Sequence, residues 1–408
     1  MERFNDMVRR VLRTFFATGV FDNPPPGSFD GSQPPPIPDS VLDQHERVAR
    51  QVAREGSVLL KNDPNGLPLG SEGLGSVAVI GSDADRYIAG GGASAVPSPA
   101  RLTTIVDGIA ERAGDGVEVT HVPGTDPVRL GDTTPGLEPV PSHVLTPPGG
   151  GPSDRGLLGE YFTNPMFAGT PELTRVEDQV NWRHGLSGDL LSTSQAPGLP
   201  FAWLFNPAQS RRWTGTLTAP VTGDYAIGLS LLGSATLFVD GEVVVEADAD
   251  SFETVTATVP LVAGQSYGIR IDYRPDAPIT FDGSANDAPF PMIRFDWTPP
   301  SSEAVPGVQA AVEAAENADV AVVVARDYTG EAMDRGTLKL GQGQDRLIRE
   351  VAAANDRTIV VLATSGPVLM PWLDDVEAVL EAGIPARRGA RPWRTCCSAT
   401  SRPRASCP

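Results

Sequence analysis

The chain has 408 residues, enough for two or three domains that each bury a core. Its formal net charge of −19 and pI of about 4.6 argue against binding nucleic acid through its phosphates, and they suit a neutral ligand. No apolar run approaches the roughly 20 residues needed to cross a bilayer. Arg9, Arg10 and Arg13 interrupt the apolar residues at the N-terminus, so a secretory signal is not expected there and a cytoplasmic location is.

Residues 1–20 have helical spacing, and Gly19 stands where a C-cap would. The Pro-rich stretch 23–38 (NPPPGSFDGSQPPPIP) reads as a linker, and 43–55 returns to helical spacing with Val48, Ala49 and Val52 on one side. SVLLKND then reads as a short strand or a helix end. Residues 76–81 (SVAVIG) form a continuous apolar, β-branched run, the pattern of a strand buried on both faces. Comparable runs occupy 117–122, 318–325, 357–363 and 376–383, with helices predicted over 103–113, 307–317 and 344–355. Apolar strands alternating with helices predict an open, mostly parallel α/β sheet.

The second and third strands are too far apart for a crossover. Between them, residues 154–298 consist of short alternating segments, with Asp240-Gly241 as a two-residue hairpin signal. They predict an all-β sandwich inserted into the α/β domain. Pro/Gly-rich stretches at 146–152 and 299–302 mark its seams.

Composition breaks near Ile384. Residues 385–408 hold six arginines and no acid, leaving −25 for the rest of the chain, and they contain all three cysteines (Cys396, Cys397, Cys407). A disulfide framework would spread its cysteines through the fold.

Three segments resemble the C-terminal portion of glycoside hydrolase family 3, a group that includes β-glucosidases. They are AREGSVLLKNDPNGLPL (53–69), VAVIGSDAD…GGGASAVPSP (77–99) and ARDYTGEAMDRGTLKL (325–340), the last followed by VVLATSGPVLMPWL. The insertion, beginning GLLGEYFTNPMFAG, resembles the protective-antigen-type β-sandwich of some members. The resemblance implies an incomplete α/β sandwich with an inserted all-β sandwich. It divides the chain into a post-barrel helix and linker (1–40), a first α/β part (41–150), the insertion (154–298), a second α/β part (303–384) and an aberrant tail (385–408).

The family often carries Gly-Glu-x-x-Asp-Arg on the loop after its third strand, with the Glu as general acid/base. The matching residues are Gly330, Glu331, Asp334 and Arg335. The resemblance makes Glu331 the catalytic residue. Asp334 and Arg335 are expected to support the loop through a mutual or neighbouring ion pair. A retaining glycosidase needs a nucleophile about 5–5.5 Å from its proton donor, and the family's nucleophile is an Asp in a preceding (β/α)₈ barrel. Nothing before residue 53 can hold such a barrel, of about 250 residues.

The tail also departs from the family's continuation. Read two bases out of frame, codons compatible with the stretch around Trp393 to Ser398 permit that continuation, so a frameshifted copy is expected. A genuine Arg/Cys-rich tail is the alternative. Without the helix and strand that the tail replaces, one sheet edge is expected to stand open.

Other candidates read as structural. The loop Gly90-Gly91-Gly92-Ala93-Ser94 lacks phosphate-cradling spacing and suits a sharp turn. Trp182, Trp203, Trp213 and Phe167 suit a sandwich core better than a sugar platform. The four histidines have no metal-ligand spacing, and no metal or organic cofactor is expected. The expected function is therefore that of a fragment of an exo-acting retaining glycosidase, acting on terminal sugars of a carbohydrate, with no nucleic-acid or membrane partner. The rival is a non-catalytic carbohydrate-binding remnant with the β-sandwich as its working part.

Overall fold

The structure is a computed structural model that describes residues 1–25, 27–28, 36–63, 66–70, 73–86, 103–151, 153–183, 208–275, 291–301, 305–328 and 335–383. It divides into two compact units, Met1–Val48 and Ala49–Pro408. The first contains helix α1 (Glu2–Ala17), an amphipathic helix with Phe4, Met7, Val11 and Phe15 exposed. Helix α2 (Asp39–Gly56) crosses the division. No described helix is long and apolar enough to cross a membrane.

The second unit begins with β1 (Val58–Asn62), β2 (Ser76–Ile80), α3 (Ile105–Ala113) and β3 (Glu118–Val122). Thr104 caps α3 through a reciprocal capping box with Asp107. Ten antiparallel strands follow: β4 (Glu138–Pro139), β5 (Leu145–Thr146), β6 (Leu157–Phe162), β7 (Leu173–Glu177), β8 (Asn181–Arg183), β9 (Ser210–Thr218), β10 (Gly223–Val239), β11 (Glu242–Leu261), β12 (Ser266–Arg274) and β13 (Met292–Thr298). The chain then returns through α4 (Pro306–Glu316), β14 (Val320–Arg326), α5 (Gln344–Ala354), β15 (Thr358–Ala363) and β16 (Ala378–Glu381).

The first sheet has the order β1-β16-β15-β14-β2-β3, with every pair parallel except β1 with β16. Its central strands are apolar throughout because both faces are covered. Ala78, Ile80, Ala321, Val323 and Val360 pack on one side with Val308, Ala311, Leu347, Ile348 and Val351 of α4 and α5. Val77, Val79, Val322, Val324 and Val361 pack on the other with Ile105 of α3. Each such buried side chain contributes about 1.5–3 kcal/mol. The mostly parallel α/β sheet expected from the sequence is present, and an antiparallel all-β unit is inserted in its chain path.

SVLLKND, read as a strand or a helix end, is a strand, and it lies antiparallel along β16 in the register Val58↔Glu381 to Asn62↔Ala378. The outer edge of β16 is therefore occupied by β1. The inserted unit is all-β, as expected. Its ten strands form one curled sheet, because β10 pairs with β13 over Ala226–Leu232 and then with β12 over Ser234–Val239. The switch falls at Gly233, at φ +118°, where an added Cβ would lie 2.4 Å from the Arg274 carbonyl oxygen. A strand that passes from one layer to the other through an irregularity is how such corners are built. Strands β10 and β11 are joined by Asp240-Gly241, both at positive φ as a tight hairpin requires.

Candidate functional site

In chain order, the five parallel strands are arranged second, first, third, fourth, fifth (β3-β2-β14-β15-β16). In a doubly wound sheet of this order, strand direction of travel reverses between the first and third strands. The crevice beyond their C-terminal ends is where such sheets bind ligands. Here those ends belong to β2 and β14. The segment after β14 runs Asp327, Tyr328, then 329–334, which lie outside the described residues together with Glu331 and Asp334. The loop Gly90-Gly91-Gly92-Ala93-Ser94, which follows β2, lies outside them as well.

Arg335, the residue that follows the 329–334 segment, is described. Its Nη1 is 3.0 Å from Oδ2 of Asp327, and its Nη2 donates to the Pro367 carbonyl at 2.8 Å. The Ser365 amide donates to Asp327 Oδ1 at 3.3 Å. Beside this pair, Thr364 Oγ1 and the Gly383 amide each donate to the Glu381 carboxylate at 2.7 Å. Arg326 Nη1 reaches Asp83 Oδ1 at 3.4 Å, and the Val128 amide donates to Asp83 Oδ2 at 3.2 Å. The backbone of Arg326 is held by Gln344, whose side-chain amide bonds its N–H and its C=O at 2.9 Å each.

Burial raises the carboxyl groups of Asp327 and Glu381 above their ordinary range. For Asp327 the Arg335 charge and the Ser365 amide pull the other way. For Glu381 the Thr364 and Gly383 donors oppose burial, and the charge of Asp327 adds a further upward push. Asp327 itself is buried and engaged by Arg335, so its geometry suits holding the segment rather than donating to a substrate.

Asp327, Glu381 and the Arg326–Asp83 pair were not singled out from sequence. The signal was present, since each follows or ends an apolar parallel strand at its C-terminal side. The aromatic candidates behave as core. Trp213 is fully buried and donates from Nε1 to Glu177 Oε2 at 2.9 Å, while Trp182 lies under the Arg211 guanidinium, 3.4 Å from its ring centre. Phe167 is half-buried against Phe162, with ring centres 6.2 Å apart, and Trp203 lies outside the described residues. Among the described residues no group of three or more His, Cys, Asp or Glu is arranged to hold a metal ion.

Sheets of this order are ligand-handling α/β domains that bind at the switch point, and here Asp83 and Asp327 follow the two strands that flank it. The chain belongs to glycosyl hydrolase family 3: the family's C-terminal domain matches residues 57–395, ending before the three cysteines. It is similar to a β-glucosidase of Rhizobium radiobacter, 29% identical over 396 residues, covering 93% of this chain and 42% of that protein. It is also similar to β-glucosidase B of Emericella nidulans, 27% identical over 410 residues, covering 95% of this chain and 43% of that one. Among solved structures, a β-glucosidase from Kluyveromyces marxianus in complex with glucose shares the fold. It superposes with a TM-score of 0.51 at 20% identity, over 96% of this chain and 44% of its own. The chain therefore spans less than half the length of these relatives.

Proposed function

We propose that this chain is the acid/base-bearing part of an exo-acting retaining β-glucosidase-like enzyme, and that Glu331 is its proton donor. The observation that carries this reading is the pairing of the two described residues that flank the 329–334 segment. Asp327 follows β14 at the sheet's switch point, and Arg335 meets it at 3.0 Å. The Gly330-Glu331-x-x-Asp334-Arg335 match and the β-glucosidase relatives support the same reading.

Retention requires a second carboxylate as nucleophile. In this reading that carboxylate comes from a (β/α)₈ barrel outside these 408 residues, and a carbohydrate is held between the two. The coverage of the relatives, at 42% and 43%, is what such a division would produce. The inserted unit corresponds to the protective-antigen-type sandwich over 154–298, and residues 385–408 to an out-of-frame continuation. The binding-module reading is left without a tryptophan platform among the described residues, since Trp182, Trp213 and Trp297 are all buried.

The test is a chimera in which this chain replaces the matching part of the Rhizobium radiobacter relative. Turnover of an aryl β-glucoside by the chimera, reduced about a hundredfold or more by Glu331→Gln, is the expected result. A chimera indifferent to that substitution would remove Glu331 from the mechanism. The 408-residue chain alone is expected to show no turnover above buffer, and activity of its own would place both carboxyl groups within it.

A further inference from the structure

The downstream end of the 329–334 segment is tied to the inserted unit as well as to the parallel sheet. One residue past Arg335, the Gly336 amide donates to the Thr133 carbonyl at 2.7 Å. Further along, Gln342 is buried with φ +58° and donates from Nε2 to Asp132 Oδ2 and to Gln179 Oε1, each at 3.0 Å. Gln179 returns a bond from its own Nε2 to Gln342 Oε1 at 3.2 Å and also donates to the Val140 carbonyl at 3.1 Å. Asn181 of β8 donates to the other oxygen of Asp132 at 2.9 Å.

The partners of Gln342 are themselves gripped by β13. Arg294 donates to four carbonyl oxygens of residues 131–137, those of Gly131, Thr134, Pro135 and Leu137, at 3.0–3.2 Å, and pairs with Asp296 at 2.6 Å. A buried guanidinium that saturates four backbone acceptors leaves its segment one low-energy position. The polar contacts therefore run from β13 through Arg294 to residues 131–137, then through Asp132 and Thr133 to residues 336–342. On the opposite side the same stretch is bonded to the parallel sheet, by Arg335 to Asp327 and Pro367 and by the Leu369 amide to the Leu338 carbonyl at 2.9 Å.

We propose that the inserted antiparallel unit is a positioning device for residues 335–343, the stretch that follows Glu331 in the chain, acting through the Gln179–Gln342–Asp132 junction and the Arg294-held residues 131–137. This rests on the reading of Glu331 as acid/base. Gln179, Gln342 and Asp132 are positioning residues, acting through their bonds to one another and to the stretch after Arg335. The insertion is then part of the active-site scaffold, and its loss would impair the segment even with the parallel sheet intact.

Hydrogen–deuterium exchange on the full 408-residue chain tests this. Gln179→Ala, a change in the inserted unit 163 positions from Gln342, is expected to raise exchange at amides 335–343 about tenfold or more. Amides of Val320–Arg326 should stay within about twofold. Gln342→Ala should do the same. Gln342→Glu supplies a second readout. Its protonated carboxyl can still donate to Asp132, whereas its ionised form faces that carboxylate and repels it. One O–H cannot replace both bonds of the Gln342 amide, so exchange at 335–343, corrected for intrinsic rates, should exceed the parent throughout and by a clearly larger factor at about pH 8 than at about pH 5. Unchanged exchange at 335–343 in Gln179→Ala, or an equal rise across β14, would overturn the proposal, as would a Gln342→Glu profile without pH dependence. Glu331→Gln leaves these bonds in place, so failure of the clamp and failure of the acid/base assignment are seen separately.

Discussion

Asp327 and Arg335 stand on either side of the segment that carries Glu331, and their side chains meet at 3.0 Å across its base. Asp327 is buried at the C-terminal end of the third parallel strand, and Arg335 is anchored in turn to the Pro367 carbonyl.

Breaking that pair from one side leaves a buried carboxyl group without its cation. Arg335→Met is expected to cost about 2–3 kcal/mol, and Asp327→Asn less, because the amide keeps the Ser365 contact. A double-mutant cycle by urea denaturation measures the coupling. Additive single effects would mean that the two groups do not depend on each other.

The buried Arg294–Asp296 pair predicts the pH dependence of stability. Burial raises the Asp296 carboxyl to about 6, against the pull of Arg294 and of the Ser230 hydroxyl. Its unfolded value is near 3.8. Between about pH 4 and about pH 6 the folded chain therefore binds more protons than the unfolded one, so stability falls as pH rises through that window. Asp296 alone accounts for up to about 3 kcal/mol of that fall. Asp132, also raised by burial, acts in the same direction. Urea midpoints across the window should decline less steeply in Asp296→Asn than in the parent. Parallel slopes would contradict the assignment.

Gly233 makes the corner of the curled sheet. Gly233→Ala puts a Cβ against the Arg274 carbonyl oxygen at a φ that side chains rarely adopt. The expected cost is about 1–3 kcal/mol. The thermal midpoint reports it, and an unchanged midpoint would show that the corner tolerates a side chain.

The elements legible in the sequence were those whose burial writes a local pattern. VAVVVA and IVVLA are apolar at every position because α4 and α5 cover one face of the sheet and α3 the other. Asp240-Gly241 was readable because a two-residue turn needs positive φ at both positions. The edge strand β1 was ambiguous, since it is only half-buried and its partner lies over 300 residues away. Arg335 was expected to form an ion pair, but its partner could be named only once β14 had brought Asp327 alongside. Gln179 and Gln342 were invisible. A glutamine reads as a surface residue until the fold surrounds it with donors and acceptors from a distant segment.

The central claim is that Glu331 delivers and removes the proton, and a leaving-group series tests it most directly. The measurement compares kcat/KM for aryl β-glucosides of graded leaving-group pKa in the chimera and in its Glu331→Gln form, with and without azide. The account predicts that Glu331→Gln slows poor leaving groups most, because they need protonation in the transition state. It also predicts that azide restores turnover of the activated substrates by replacing the water that the lost base would have activated. An equal loss for every leaving group, with no azide rescue, would contradict it.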